Sequence, residues 1–369
     1  MSNTSLFAGY KFGHQHLKNR IVMAPMTRAR SQQPGNNPSA LMAEYYRQRA
    51  SAGLIITEAT QISPQGAGIF MDTGDPFARA GCRMATHYGC CTSGRRRDLS
   101  QLWHVGRMSH ASFHQDGKPV APSALAPDAK VWVVDETGRG QMVECPQPRA
   151  LSRKDIQTII LQYRQAALNA IQAGFDGVEV HGANGYLIDQ FLRSTSNIRT
   201  DEYGGTLANR IRFAQEVLET IADAIGGERT GIRLSPFITQ RGMNDPQVTE
   251  AILMLAAWCE EKGIAFIHLA EADWDDAPQV PEPFRHTLRE TFSGTIIVAG
   301  NYTPEKAEKI LAAGYADLIA FGRPFIANPD LPHRLAHQLP LAEVSDPGTL
   351  FGGTGEGYTD YPQYRATRQ

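Results

Sequence analysis

Short apolar, β-branched runs recur along this chain, and most are followed by a stretch of helical period. The runs are Arg20–Thr27, Gly53–Thr60, Leu99–Gly106, Gly177–Asn184, Thr230–Pro236, Ala265–Glu271, Thr295–Asn301 and Asp317–Pro324. Strands alternating with helices at this spacing predict βαβ units and a parallel sheet. Eight such units close naturally into an α/β fold of the (β/α)8 (TIM) barrel type. An open doubly wound sheet is the alternative, but no GxGxxG follows the first run. The helices carry their own punctuation. Ser152 followed by Asp155 is an N-terminal capping signal, and Gly174 sits where a C-terminal cap belongs. Thr303-Pro304 opens another helix and Gly314 ends it.

The strands show a second pattern. Val178-Glu179-Val180-His181, Ile232-Arg233-Leu234-Ser235 and Ile267-His268-Leu269-Ala270 each start apolar and alternate. Side chains alternate between faces along a strand, so the apolar set belongs to the helices and the polar set points inward. Barrel interiors favour bulky branched residues, and inward charge near strand ends marks a site. Two connections are long. Met108–Ala150 holds a predicted hairpin, Val131–Val134 against Gln141–Val143, and Gln190–Thr206 follows the fourth strand. Long loops at the C-terminal ends of barrel strands form lids and binding surfaces. The whole chain, 1–369, reads as one domain.

Composition narrows the classes. Hydrophobic residues make up 42% and charged residues 20%, so wholesale disorder is excluded. The net charge of −2 lacks the footprint of a nucleic-acid binder. No run reaches the roughly 20 apolar residues of a membrane span, and Met1 to Lys18 has no apolar signal core, so a cytoplasmic protein is expected. Five cysteines without zinc spacing predict reduced thiols and no disulfide framework.

Candidate chemistry lies at the predicted strand ends. Gly300 and Gly322-Arg323 end the seventh and eighth runs, the usual phosphate position of a barrel; an ordinary turn and a surface arginine is the alternative. His181, Asn184 and Tyr186 fall within six residues after the fourth run. Two donors converging there would polarise a carbonyl or nitro oxygen, and Tyr186 could deliver a proton; the alternative is a core histidine and a rim tyrosine. Arg233 is either a stabiliser of a bound anion or half of a barrel salt bridge to Glu58 or Glu179. Trp103 is core or walls a flat ligand. A metal site of His181 with His104, His110 or His114 lacks a carboxylate at recognisable spacing, so no metal is expected.

These segments together resemble the Old Yellow Enzyme family of flavin-dependent ene reductases. The resemblance is carried by Asn19-Arg20-Ile21-Val22-Met23-Ala24-Pro25-Met26-Thr27-Arg28, by Tyr45-Tyr46 with Gln48-Arg49-Ala50-Ser51-Ala52-Gly53-Leu54-Ile55, and by Gln101-Leu102-Trp103-His104-Val105-Gly106-Arg107. Gly174-Phe175-Asp176-Gly177-Val178-Glu179, His181 to Tyr186, Arg199-Thr200-Asp201 and Phe321-Gly322-Arg323 continue it. The tail Gly357-Tyr358-Thr359-Asp360-Tyr361-Pro362 resembles the bacterial branch of N-ethylmaleimide, morphinone and nitrate-ester reductases. The resemblance implies FMN across the barrel mouth and NADH or NADPH as reductant, with electrophilic small molecules as substrates of a monomer or homodimer. It implies that Pro25, Met26, Ala59 and Gln101 contact the isoalloxazine, that Thr27 tunes it, and that Arg233 faces its pyrimidine edge. Gly300, Gly322 and Arg323 would hold the phosphate. His181 and Asn184 would take the substrate oxygen, Tyr186 would protonate the α-carbon, and Trp103 and Tyr358 would shape the pocket. Ile69 stands where close relatives tend to have a pocket tyrosine. Two other readings remain: a flavin-free phosphate-binding lyase or isomerase, and a flavoprotein that binds ligands without turnover.

One segment departs from the resemblance. Relatives have an amphipathic helix and an apolar third strand where Gly74–Asp98 stands, but this chain has Cys82, Cys90, Cys91, Arg95-Arg96-Arg97 and Asp98. A parallel barrel strand is buried on both faces and should be apolar, and unpaired charge there is costly. The match resumes in register at Gln101, so the segment reads as a compensated frameshift that would leave a defect under the third strand; a divergent helix is the alternative. Reading its coding stretch in the shifted frames should reveal an apolar period of 3.6 followed by an apolar strand; resequencing that finds neither establishes a genuine variant.

Overall fold

The computed structural model describes residues 5–32, 35–68, 97–114, 117–134, 140–271 and 279–364. Eight parallel strands form its centre: β1 (Ile21–Met23), β2 (Leu54–Ile56), β3 (Asp98–Trp103), β4 (Gly177–Gly182), β5 (Thr230–Leu234), β6 (Phe266–Ala270), β7 (Thr295–Ala299) and β8 (Leu318–Phe321). They pair in sequence order, and β8 closes on β1, giving a complete (β/α)8 barrel. Seven of the eight predicted runs contain their strand, and β3 begins one residue before its run, at Asp98. The runs overshoot at their C-terminal ends, because those residues turn away to build the mouth.

The outer ring includes α1 (Ala40–Gln48), α2 (Arg153–Gln172), α3 (Leu187–Leu192), α4 (Leu207–Ile225), α5 (Val248–Glu261), α6 (Glu282–Thr291) and α7 (Pro304–Ala312). Ser152 and Asp155 form the reciprocal capping box that starts α2, and Gly174 adopts φ +92° beyond its end. The long connection after β4 begins later than the sequence predicts. All six residues of Leu187–Leu192 are buried, and they form α3 before the loop starts. The hairpin in the connection after β3 pairs Lys130–Val134 with Gly140–Glu144.

The alternation read from the sequence sets the layers. Val178, Val180, Ile232, Leu234, Ile267 and Leu269 join the core between strands and helices. Val22, Leu54, Ile56, Leu99, Phe266, Ile297 and Leu318 fill the barrel interior, together with Phe12 and Leu17 from an N-terminal hairpin. The Phe12 ring packs 5.5 Å from Phe266, so the hairpin plugs the N-terminal end. Gly231 makes this layer possible, because a Cβ there would meet the Phe266 ring at 2.3 Å.

Ile69 and most of the aberrant segment, including Cys82, Cys90, Cys91, Arg95 and Arg96, lie outside the described residues. Only Arg97 and Asp98 of that segment's end are described. Arg97 pairs with Asp176 at 3.2 Å, and the other Asp176 oxygen accepts the Asp98 backbone N–H. Strand β3 then runs in register with β4, with Gln101 opposite Glu179.

Candidate active site

The polar residues of the barrel interior sit on one half of its wall. Inward positions of β1, β7 and β8 near the mouth are Ala24, Ala299 and Ala320, whereas β3 to β6 carry Gln101, Glu179, His181, Arg233 and His268. The result is a mouth with small apolar side chains on one side and hydrogen-bonding groups on the other.

Pro25, Met26 and Thr27 continue β1 and are half-buried, between the buried Ala24 and Arg28. Glu58, at the end of β2, fixes this loop by accepting the backbone N–H groups of Arg28 and Ala29, both at 3.2 Å. Burial raises the Glu58 pKa, and these bonds oppose the rise. Arg28 donates to the carbonyls of Leu350, Thr349 and Gly357 in the tail.

The turn after β4 is the most tightly specified part. His181 Nδ1 lies 3.3 Å from the Ala183 N–H and accepts from it, which places the ring proton on Nε2. Burial first, then the positive charge of Arg233, holds this imidazole well below its usual range, so it is a neutral donor. Asn184 has φ +59° and Gly185 +79°, a left-handed pair that asparagine and glycine tolerate. Ser235 Oγ accepts the Asn184 N–H at 2.8 Å, and Asp189 accepts from Gly185 N–H at 2.9 Å and from Ser235 Oγ at 3.2 Å. Asn184 Oδ1 is buried without a partner. The Tyr186 ring stands edge-on to both Trp103, at 4.8 Å, and His181, at 4.9 Å. Arg241 donates to the Asn184 carbonyl at 2.7 Å and covers the Tyr186 ring.

Arg233 makes no ion pair or hydrogen bond among the described residues, and its Nε is a buried donor without a partner. Glu179 is engaged elsewhere, by Gln101 Nε2 and His268 Nδ1, each at 2.7 Å. The salt-bridge alternative for Arg233 is therefore not what forms. At the ends of β7 and β8, Arg323 Nη2 donates to Asn301 Oδ1 at 3.0 Å, joining the tips that carry Gly300 and Gly322.

Two expected pocket residues are tightly packed. Trp103 is only 1% exposed and backs His181 and Tyr186. Tyr358 is completely buried, stacked on Tyr45 at 4.1 Å, with the Arg30 guanidinium 4.3 Å from its ring centre. It anchors the tail against α1. Ala59 is buried in the Trp103 cluster. The sequence reading missed Asp189, Arg193 and Ser235. The available signal was Asp189 and Arg193, four apart at the Leu187–Leu192 run, and the structure closes the pair at 2.7 Å.

Among the described residues no group of three or more His, Cys, Asp or Glu could hold a metal ion, and no helix is long and apolar enough to cross a membrane. An anion-accepting arginine, orphaned polar atoms and an alanine-lined opposite wall instead suit a flat, hydrogen-bonding cofactor.

The profile of the NADH:flavin oxidoreductase / NADH oxidase family matches residues 5–74 and 99–342. The chain belongs to this family. The match skips 75–98, within the segment the sequence marked as aberrant. Morphinone reductase superposes with a TM-score of 0.94 and 43% identity, covering 100% of this chain and 98% of its own. The Old Yellow Enzyme homologue of Zymomonas mobilis gives 0.88 and 37%, covering 98% and 100%. Among sequences, 12-oxophytodienoate reductase 1 of Oryza sativa subsp. japonica is 40% identical over 97% of this chain and 92% of its own. The protein is thus an Old Yellow Enzyme-type flavin oxidoreductase of the morphinone reductase branch, with FMN as cofactor and a nicotinamide nucleotide as reductant. The flavin-free lyase reading falls away.

His104, His181 and His268 are all buried, and burial lowers each of them, His104 to about 3. Below about pH 6.5 the unfolded chain takes up protons that the native site refuses, so stability should fall as the pH falls. The slope is up to about 1.4 kcal/mol per pH unit per histidine. Glu58, shifted upward, opposes this with one group against three. Urea denaturation at pH 7 and pH 5.5 checks it; a flat profile would mean that the histidines are charged in the folded state.

Proposed function

We propose that the protein reduces activated carbon–carbon double bonds, such as those of enones and maleimides, and also nitro or nitrate-ester groups, using NADH or NADPH. FMN, when bound, supplies the hydride from its N5 after taking it from the nicotinamide. Nicotinamide and substrate use one site in turn. Pro25, Met26, Ala59 and Gln101 would contact the isoalloxazine, with Thr27 beside it. Arg233 would meet the edge where negative charge collects, and Gly300, Gly322 and Arg323 would hold the phosphate.

The observation that carries this reading is the turn after β4. The neutral His181 is left with an Nε2–H donor, and Asn184 Oδ1 has no hydrogen-bond partner among the described residues, so the Asn184 amide is not tied down by its oxygen. Two neutral donors one turn apart suit one electron-rich oxygen, whose polarisation makes the β-carbon of an enone accept hydride. Neither donor adds charge, so a carbonyl oxygen and a phenolate are both accommodated. Tyr186 packs against His181 and holds its phenol proton for the α-carbon.

His181→Ala and Asn184→Ala should each weaken phenol binding to the FMN-loaded protein by about 1–3 kcal/mol, roughly five- to a hundredfold. Titration of the flavin spectrum measures this, and unchanged affinity in both variants would remove the pair from the substrate site. Tyr186→Phe should slow alkene reduction while flavin reduction by the nicotinamide continues almost unaltered, since only the first needs the proton. Stopped-flow measurement of the two half-reactions separates them. Equal slowing of both would make Tyr186 a packing residue and not the acid.

A further inference from the structure

We propose that Glu179 and His268 are positioning residues for the flavin: they lock the amide of Gln101 in one orientation and keep the Glu179 carboxylate away from Arg233. The inference rests on the reading that Gln101 and Arg233 meet the isoalloxazine.

Gln101, Glu179 and His268 lie on β3, β4 and β6 and are at most 1% exposed. Glu179 Oε1 accepts from Gln101 Nε2 at 2.7 Å, and Glu179 Oε2 lies 2.7 Å from His268 Nδ1. A carboxylate only accepts, so it dictates which end of the amide faces it. Gln101 Nε2 is committed, and Oε1 is the atom left to accept a hydrogen bond from a bound group. If the amide were reversed, the site would offer a donor where it now offers an acceptor. His268 serves the other oxygen as a neutral donor, since burial lowers its pKa. Its Nε2 is then a buried acceptor with no partner among the described residues.

The second consequence concerns Arg233, which is next to His268 in strand register. Arg233 and Glu179 interact electrostatically, yet no ion pair forms. Both carboxylate oxygens are already occupied. The guanidinium therefore keeps its donors for an anionic ligand edge, while Glu179 sets an opposing charge behind it. Reduction adds negative charge to the flavin, so Glu179 should work against reduction and Arg233 in its favour.

The test is Glu179→Gln in the FMN-loaded protein, an isosteric change that removes the charge and the fixed acceptor. Two quantities are measured: FMN dissociation, by the fluorescence of released flavin, and the two-electron potential, by equilibration with a reference dye. Oxidised FMN should bind about tenfold more weakly, because the Gln101 amide is no longer held. Reduced FMN should lose little, because a repelling charge has also gone. That tenfold ratio corresponds to a rise in potential of about 30 mV. In a Gln101→Ala background the change should weaken oxidised FMN no further. Independently, His268→Leu should weaken FMN binding by releasing the carboxylate toward Arg233, and His268→Gln, which keeps an N–H donor, should restore it. If Glu179→Gln does not fold, the His268 pair carries the test. An unchanged potential and affinity, or losses that simply add in the double variant, would overturn the inference even if the melting temperature falls. A wild-type chain that takes up no FMN would instead overturn the site reading beneath it.

Discussion

A parallel barrel strand has no wet face. One side meets the helices and the other meets the barrel interior, so every inward polar group needs a partner or a ligand. This constraint explains why the interior divides as it does. The N-terminal layer is filled by Phe266, Leu54, Leu99 and the Phe12 plug, and it needs nothing else. Toward the mouth, Glu179 is satisfied on both oxygens by Gln101 and His268. Among the described residues, Arg233 Nε, His268 Nε2 and Asn184 Oδ1 are left there without a partner. Arg233 and Asn184 are among the groups proposed to meet a flavin and an electron-rich substrate oxygen.

The same constraint made much of the fold legible before any coordinates. Apolar residues alternating with Glu179, His181, Arg233 and His268 signal strands whose outer faces are covered and whose inner faces carry chemistry, and those strands form where the pattern places them. Turn chemistry was equally readable at Ser152 with Asp155 and at Gly174, because capping is local. Contacts between distant segments were not. Nothing near Tyr358 in the chain reveals that it stacks on Tyr45, more than 300 residues away. Asp189 lies inside an apolar helix, where a lone carboxylate has no evident purpose until Ser235 and Arg193 are seen around it.

Those distant contacts decide how rigid the site is. Two arginines hold the loop after β1 against the tail, and a third ties the end of α1 to the segment after β8. Arg28 and Arg30 donate to tail carbonyls, and Arg49 donates to the carbonyls of Phe325 and Ile326 while its guanidinium lies 3.6 Å from the Tyr45 ring centre. Arginine suits this use because its planar head can stack and donate at the same time. The consequence is at Pro25, Met26 and Thr27. They are anchored from behind by Glu58 and, through Arg28, by the tail. The turn carrying His181, Asn184 and Tyr186 is anchored separately, by Asp189, Ser235 and Arg241. The loop after β1 and the turn after β4 thus rest on independent supports.

The third strand is where these supports meet the chain's departure from its family. The family match stops at residue 74 and resumes at 99. Strand β3 nonetheless begins at Asp98 and pairs with β4 over Leu99, Ser100, Gln101 and Leu102. Its entry is fixed by Asp176, which binds the Arg97 side chain with one oxygen and the Asp98 N–H with the other. Charge that would have been stranded inside a strand is paired at the strand's edge, where Arg97 remains about one-third exposed. Beyond that point register is governed by β4, because slipping by one residue would turn Gln101 outward and bring Leu102 against Glu179. The Gln101–Glu179 bond therefore specifies the register as well as the amide. A barrel whose third strand is locked from its fourth can keep its active-site wall intact even where the preceding residues have diverged.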